Sequence, residues 1–453
     1  MENKSGWYGL DENKIKAISD FAEKYRKFLS EVKTEREAVE FFENNAKFYG
    51  FEEYVPSYKG KRFYIKKNNK AIAFVNISGK VEEGFRIIAA HIDSPRLDLK
   101  PYPLVEDKDT ETILFKTHYY GGIKKYQWVS RPLALRGVVV KKDGTAIKIN
   151  IGDSENDPVF TIPDLLPHLA RKVQGEKKLL EGFEGEDMQI IISHMPDKND
   201  EKNPLKTFIL NLLKEKYNID ENDLYSSDIE VVPAGQAKDV GMDKSMIGGY
   251  GQDDRICAFT SFFGMMDSNK KTNEIVILLD REEVGSDGNT GAQSNFIEYV
   301  VTKALDASGI NYTYSLYLDI LHRSKVISAD VNAVVNPLFK GVHDMLNAAK
   351  AGHGVIVTKY TGSGGKYSTS EARAELVAEI ISVFDKHSIK YQFGLLGKVD
   401  EGGGGTVAKY FAKYGMEVID IGPGLMSMHS PFEIVSKFDL YSAYEAYRAF
   451  LEG

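Results

Sequence analysis

Two short and almost wholly apolar segments, residues 85–91 (FRIIAAH) and 274–280 (EIVILLD), constrain the fold of this chain most. Strands that are apolar at nearly every position are typical of parallel sheets, which are buried on both faces. A helical repeat lies between residues 11 and 51, and strand-like and helix-like patterns alternate again after about residue 236. These patterns predict an α/β fold with a mostly parallel sheet flanked by helices. One of the strands predicted in the later part is 315–320 (SLYLDI).

Between about residues 101 and 230 the pattern changes to short alternating segments separated by glycine-rich or charged turns. Such segments predict a β-rich region, in which 163–174 is a short helix. A length of 453 residues also exceeds what one hydrophobic core usually organises. We therefore predict an α/β domain formed by residues 1–97 and 236–453, interrupted by an inserted β-rich domain at 98–235.

Composition excludes several classes of protein. No apolar run approaches the length of about 18 residues that a transmembrane helix needs, and the first residues lack the apolar region of a secretory signal. The single cysteine, Cys257, cannot form an intrachain disulfide, which fits a reducing compartment. The net charge of −8 comes from interspersed acids and bases and offers no basic footprint. We expect a cytoplasmic protein that binds neither nucleic acid nor membrane.

Ionisable side chains stand at or near the ends of the apolar segments. They are His91, Asp93, Asp253, Asp254, Glu282, Glu283, Asp330 and His429. In open α/β sheets, ligands bind at the carboxyl ends of the strands. Gathering so many ionisable groups at one sheet edge is costly unless a cation holds them together.

Two imidazoles and several carboxylates, without a thiolate, suit zinc or a similar divalent ion. A two-metal site needs a bridging carboxylate, and one further carboxylate that takes a proton from water. Glu282 and Glu283 can divide ligation and proton transfer, since adjacent residues leaving a strand point in different directions. These residues favour a binuclear metal hydrolase. The structural alternatives are satisfied histidines, a solvated Glu-Glu pair, and a turn with a local ion pair at 253–255.

Four motifs carry a resemblance to a known family. They are residues 91–95 (HIDSP), 280–286 (DREEVGS), 327–330 (ISAD) and 425–430 (LMSMHS). In this order they resemble the metal-binding motifs of the aspartyl aminopeptidase family of co-catalytic zinc exopeptidases, and the resemblance spans nearly the whole chain. It implies hydrolysis of the N-terminal residue from peptides with a free N-terminus. It also implies two Zn²⁺ per subunit, with Co²⁺ or Mn²⁺ as possible substitutes.

The resemblance also implies a role for each site residue. The implied metal ligands are His91 and Asp330 for one ion, Glu283 and His429 for the other, and Asp253 as the bridge. Glu282 would be the general base, and Asp93 would accept the free N–H of His91 and fix its tautomer. The family often has Asp-Asn where this chain has Asp253-Asp254, so Asp254 is an alternative bridge.

The insertion takes part in the resemblance. Residues 162–169 (IPDLLPHL) are similar to the segment from which the family's dimerisation domain sends a histidine into the neighbouring subunit's active site. By this resemblance His168 acts in trans, donating a hydrogen bond to the substrate carbonyl or the oxyanion. The alternative is a surface histidine that serves its own subunit. The family commonly builds a dodecamer from dimers, so we expect a homo-oligomer with a dimer as its building block.

Residues 364–368 (GGKYS) resemble the part of the family that shapes the pocket for the substrate's first side chain. Acid-selective members place basic groups there, whereas this chain offers Lys366, preceded by glycines and followed by Tyr367. The first residue of the substrate is therefore open between acidic and neutral or apolar types, and a plain surface lysine is the alternative for Lys366. Residues 402–405, four glycines, indicate a turn or a close backbone approach.

Two other functions compete with this interpretation. A related binuclear amidohydrolase or deacylase acting on acylated amino acids would keep the metal site and change the pocket. A non-catalytic assembly scaffold with a structural metal is disfavoured, because a scaffold has no use for an unligated base beside Glu283.

Overall fold

The computed structural model describes residues 4–453, and these divide into two compact units. The first unit comprises the described residues up to Asp93 together with Ala237–Met428 and Phe432–Gly453. The second comprises Ser94–Gln236 and His429–Pro431. The sequence pattern predicts an insertion at residues 98–235.

Within residues 4–453 the chain forms twenty strands and ten α-helices. The strands are β1 (Glu52–Glu53), β2 (Arg62–Lys67), β3 (Ala71–Asn76), β4 (Arg86–His91), β5 (Arg96–Asp107), β6 (Thr112–Tyr120), β7 (Leu133–Val140), β8 (Ala146–Ile151), β9 (Ile190–Ser193), β10 (Ser227–Pro233), β11 (Lys238–Val240), β12 (Met246–Gly249), β13 (Glu274–Leu279), β14 (Lys325–Ser328), β15 (Asn332–Ala333), β16 (Val355–Thr358), β17 (Tyr391–Phe393), β18 (Glu417–Gly422), β19 (Gly424–Met426) and β20 (Glu433–Ser436). The helices are α1 (Glu12–Glu31), α2 (Glu35–Phe48), α3 (Pro167–Val173), α4 (Pro204–Tyr217), α5 (Gln252–Met266), α6 (Phe296–Ala307), α7 (Tyr314–Arg323), α8 (Ala374–Lys386), α9 (Ala408–Ala412) and α10 (Lys437–Glu452).

A nine-stranded mixed sheet runs through the first unit in the order β1-β2-β3-β13-β4-β14-β18-β16-β17. Its centre consists of four adjacent parallel strands, β13, β4, β14 and β18, and antiparallel pairings join β3 and β16 to this centre. The chain therefore has the mixed α/β character that the sequence predicts.

Alternate residues of strand β4 enter two different hydrophobic cores. Ile88 and Ala90 pack in one core with helices α1, α2, α5, α8 and α10. Ile87 and Ala89 pack in the other with α6, α7 and α9. Because successive strand side chains point to opposite faces, both faces of β4 are buried, and this explains its continuous apolar sequence.

The remaining two sheets are smaller. In the second unit, a six-stranded sheet has the order β8-β7-β10-β5-β6-β9, and each of its pairings is antiparallel. In the first unit, a five-stranded sheet has the order β11-β12-β20-β19-β15. Its β12–β20 pair brings residues 246–249 beside 433–436, and β12 comes just before helix α5 along the chain.

The predicted strand at 315–320 is wrong, since these residues lie in helix α7. Thr313 begins this helix by accepting the N–H of Leu316 at 3.2 Å. Tyr317, Ile320 and Leu321 are its buried residues, and their spacing of three and four residues is that of one helix face. The predicted helix at 163–174 is shorter in the structure, where α3 covers Pro167–Val173. Among the described residues, 4–453, we find no helix with the length and apolarity to cross a bilayer.

Candidate metal centre

The candidate site lies at the carboxyl edge of the central parallel strands. Strand β4 ends at His91, which is paired in register with Leu279 at the end of β13. Glu282 and Glu283 follow β13 after two residues, in a 3₁₀ turn, and Asp330 follows the end of β14. Because β13, β4 and β14 are adjacent and parallel, their C-terminal ends bring these side chains to one edge.

Helix α5 supplies two further carboxylates from one face of the sheet. Asp253 and Asp254 lie in its first turn, where their φ/ψ angles are not helical. The Nε2 atom of His91 is 3.2 Å from Oδ1 of Asp253, and the backbone N–H of His91 donates to Oδ2 of Asp254 at 3.3 Å. Both aspartates are therefore held beside the imidazole of His91.

Within residues 4–453, two sets of possible metal ligands have donor atoms that all lie within 4.8 Å of one another. One set is His91, Asp254 and Asp330, and the other is His91, Asp253 and Glu283. Imidazole and carboxylate donors without thiolate suit zinc and related divalent ions. The side chains present therefore fit the metal that the motifs imply, and both aspartates of the Asp-Asp pair lie within reach of it.

Electrostatics in the site also favours a cation. Burial raises the pKa of Asp254 well above its usual value, against the opposing effect of His91. Burial likewise raises the pKa of Asp330, and the charge of Asp254 adds to this increase. Burial lowers the pKa of His91, but hydrogen bonds to Asp253 and Asp93 outweigh that effect and raise it. Carboxylates crowded in this way repel one another unless they are protonated or share a positive ion.

Asp93 ties the turn after β13 to the imidazole of His91. Its two carboxylate oxygens accept the backbone N–H groups of Glu282 at 3.1 Å and Glu283 at 3.2 Å. Its Oδ1 is also 3.3 Å from Nδ1 of His91, and its main-chain carbonyl is 3.1 Å from the same nitrogen. The motif resemblance implies the contact with His91, whereas the two contacts with the Glu282–Val284 turn emerge only from the structure.

The other predicted site residues belong to neither ligand set among residues 4–453. His429 is partly buried, and its Nδ1 lies 3.2 Å from the carbonyl oxygen of Gly122. His168 is exposed on helix α3 of the second unit.

Lys366 is exposed, and its Nζ lies 3.0 Å from Glu371 and 3.9 Å from the ring centre of Tyr360. Tyr367 is 73% exposed.

One buried residue beside the site, Glu433, cannot be identified from the sequence. Glu433 is 1% exposed and accepts the backbone N–H groups of Gln252 and Asp253. A glutamate beginning a short strand carries no local signal of such a contact. The pairing of β20 with β12 would have revealed it, but that pairing joins segments far apart in the sequence.

The chain matches a known protein family along most of its length. The model of the family described as "Aminopeptidase I zinc metalloprotease (M18)" matches residues 28–451. The chain belongs to the M18 family. It is therefore a zinc metalloaminopeptidase, and the family resemblance seen in its motifs is confirmed.

Relatives along the whole chain support this assignment to M18. A curated probable M18 family aminopeptidase 1 of Borreliella afzelii is 50% identical over 458 residues, which cover 99% of each chain. The crystal structure of an M18 aminopeptidase from Thermotoga maritima matches with a TM-score of 0.95 at 46% identity, covering 100% of this chain and 99% of that one. The crystal structure of aminopeptidase I from Clostridium acetobutylicum matches with a TM-score of 0.92 at 41% identity and covers 100% of both chains.

Proposed function

We propose that this M18 aminopeptidase removes the N-terminal residue of peptides with a free N-terminus at a two-zinc centre. The observation that carries the proposal is the pair of ligand sets that share His91 at the carboxyl edge of β13, β4 and β14. Because one imidazole nitrogen binds one ion, His91 would serve one zinc together with Asp330, and the second zinc follows from the motif resemblance, which adds His429 to Glu283. Zinc in such a site acts as a Lewis acid and lowers the pKa of water toward neutrality.

The proposed ligands follow from the donor sets and the motif resemblance. They are His91, Asp330, Glu283, His429 and Asp253, with Asp254 as the alternative bridge. The role of His429 comes from the motif alone and is tested by its own variant. His429→Ala should lose part of the bound zinc if the histidine is a ligand.

Glu282 is the proposed general base. Its neighbour Glu283 belongs to a ligand set, whereas Glu282 belongs to neither set among residues 4–453. It lies close enough to Asp330 for its charge to raise the pKa of that carboxyl. In this role Glu282 accepts a proton from the attacking water and passes it to the leaving amine.

The second unit is proposed to mediate dimerisation and to supply His168 to the neighbouring subunit. Around His168 the apolar side chains of Leu166, Leu169 and Val173 are half or more exposed. Leu169 and Val173 are four residues apart and lie on one side of α3, and Leu166 is the residue just before the helix. Such exposed apolar side chains are characteristic of interaction surfaces. A more distant solved structure, 20% identical with a TM-score of 0.76, is described as the mApe1 dodecamer of S. cerevisiae. We propose that this chain forms dimers, and that these dimers assemble into a dodecamer.

The loop that carries Lys366 and Tyr367 is proposed to contribute to the pocket for the first side chain of the substrate. Lys366 is already paired with Glu371, so its charge is partly neutralised. This pairing favours a neutral or apolar first residue over an acidic one. A panel of Asp, Glu, Leu, Met and Lys chromogenic substrates measures the preference directly.

The proposed function is tested by metal removal and add-back. Chelation should abolish hydrolysis of free-amine peptides, and zinc should restore it, reaching full activity at two ions per subunit. N-acylated peptides assayed in parallel should remain uncut. Activity that survives complete chelation, or cleavage only of the acylated series, would refute the proposal and in the second case favour an amidohydrolase.

A further inference from the structure

The candidate ligands Asp253 and Asp254 stand in the first turn of α5, and this helix end needs help from elsewhere in the fold. The first N–H groups of a helix have no intrahelical acceptor. The N-cap residue is Gly251, which has no side chain to accept them and has a left-handed φ of 72° that favours glycine. A residue distant in the sequence must therefore supply the acceptor.

Glu433 is that acceptor. Its Oε2 accepts the N–H of Gln252 at 2.6 Å and the N–H of Asp253 at 3.2 Å. Glu433 begins β20 and pairs in register with Gly249 at the end of β12, just before the helix. Hydrogen bonds to an ionised carboxylate are about twice as strong as neutral ones, and burial of this side chain removes competition from water.

The side chain of Gln252 completes the contact between these segments. Its Nε2 donates to the main-chain carbonyls of Glu433 at 2.7 Å and Ile247 at 3.2 Å. Its Oε1 accepts the hydroxyl of Tyr25 at 3.4 Å, and both Gln252 and Tyr25 are fully buried.

Arg255 fixes the same turn from its other end. Its guanidinium is fully buried and donates to the main-chain oxygens of Lys33 at 3.0 Å and Tyr250 at 3.3 Å. The backbone from Tyr250 to Arg255 is thus held on both sides. Between these anchors the carboxylates of Asp253 and Asp254 face His91.

We propose that Glu433 is a positioning residue of the zinc centre. Its carboxylate holds the backbone on which Asp253 and Asp254 stand and thereby sets zinc affinity and turnover, although Glu433 belongs to neither ligand set among the described residues. The inference rests on the proposed two-zinc function. Loss of groups that orient metal ligands typically costs 10–100-fold in metal affinity or activity, because the ligands must then be ordered when the metal binds.

The test compares Glu433→Gln with a control at a second buried carboxylate, Asp439→Asn. Asp439 is also a fully buried carboxylate that accepts two backbone N–H groups, those of Gly352 and Gly354, each at 2.7 Å. Those glycines lie in a loop without candidate ligands. By chelator competition, E433Q should bind zinc about 10–100-fold more weakly than wild type, while D439N stays within twofold. In steady-state assays E433Q should lower kcat and leave KM within twofold.

Three results would overturn the role of Glu433. They are zinc affinity and kcat of E433Q within twofold of wild type, an equal loss of affinity in D439N, or a rise in KM at constant kcat.

If E433Q does not fold, Glu433→Asp replaces it. That variant keeps the charge on a shorter side chain and should recover part of the affinity lost in Glu433→Ala, whereas equal affinities of E433D and E433A contradict the proposal. Wild-type protein that binds no zinc would instead refute the two-zinc function.

Discussion

Adjacent glutamates with different surroundings permit the sharpest residue-level test of the site. Glu282 and Glu283 leave the same turn, yet only Glu283 belongs to a ligand set among residues 4–453. We expect Glu282→Gln to retain its zinc and to lose several orders of magnitude in kcat, because it removes the proton acceptor. Glu283→Gln should instead lose bound zinc, since it removes a ligand.

Elemental analysis of the two purified variants, together with kcat at saturating substrate, separates these roles. Each variant serves as the control for the other, because the substitutions are chemically identical and one residue apart. Near-normal turnover of the Glu282 variant would show that another group accepts the proton. Equal zinc loss in both variants would show that Glu282 is also a ligand.

Asp93 is a second residue whose contacts predict a measurable effect. Its two oxygens accept the N–H groups of Glu282 and Glu283, so Asp93→Asn would turn an amide N–H₂ toward one of these donors. We expect zinc affinity about 10–100-fold below wild type, measured by chelator competition. Asp20→Asn, an exposed substitution on α1, should leave the affinity unchanged. A D93N protein with wild-type affinity would contradict this account.

The sequence identifies most of these side chains for a physical reason. His91 ends a strand whose apolar run is visible in the sequence, and Glu282, Glu283 and Asp330 follow two others. Parallel strands bring such ends together. Glu433 has no such signal. Its contact with Gln252 spans 181 positions and depends on which short strands pair, a choice made by the packing of the whole unit.

At the scale of elements, the strand predicted at 315–320 shows how local patterns mislead. The segment SLYLDI alternates between polar and apolar residues for a few positions, as a half-buried strand does. The capping hydroxyl of Thr313 and the next apolar residue, Leu321, extend the segment into a helix with one buried face. A window of six residues is too short to distinguish the two-residue period of a strand from the 3.6-residue period of a helix.

Strand β13 begins with a buried acid, and this element predicts a pH effect on stability. Glu274 is fully buried, accepts hydrogen bonds from Ser268 at 2.7 Å and Asn76 at 3.2 Å, and has its pKa raised by burial to about 7. The folded protein therefore holds a proton that the unfolded chain has lost between about pH 4.5 and 7. The free energy of unfolding therefore falls as the pH rises through this window, and Glu274 accounts for at most about 3 kcal/mol of that loss.

Glu274→Gln should remove this dependence, because glutamine is neutral throughout. Its oxygen can accept from Asn76, and its amide can donate to Ser268, whose hydroxyl also lies 3.1 Å from the carbonyl of Met265. Urea unfolding at pH 5 and pH 8 should show a smaller loss of stability in E274Q than in wild type. An exposed counterpart, Asp20→Asn, should follow the wild-type curve. An E274Q protein with an unchanged pH dependence would show that Glu274 stays ionised across this range.

At the scale of the whole molecule, the order of the strands could not be predicted. The sheet places β13 between β3 and β4, although some two hundred positions separate it from both. Local patterns identify strands, but which strands become neighbours depends on how helices cover both faces at once. The mixed α/β class can be predicted, because burial on both faces is already visible within the sequence of a single strand.

At the same scale, mixing subunits tests whether His168 acts in trans. If this histidine serves the neighbouring subunit, two inactive variants can restore each other. In a mixed dimer of His168→Ala and Glu282→Gln subunits, the first subunit keeps Glu282 and receives His168 from its partner, so one complete site forms. If His168 serves its own subunit, neither site of the mixed dimer is complete.

Mixing the two variants under conditions that exchange subunits should therefore raise kcat per total protein toward a quarter of the wild-type value. That fraction follows because about half of the dimers are mixed and each has one working site. Leu169 is 63% exposed and lies beside His168, so Leu169→Glu places a charge on the proposed interface. This variant should lower the molecular mass of the assembly and the activity recovered on mixing. Mixtures no more active than the separate variants, with subunit exchange verified by mass, would place the histidine in its own subunit's site or outside catalysis.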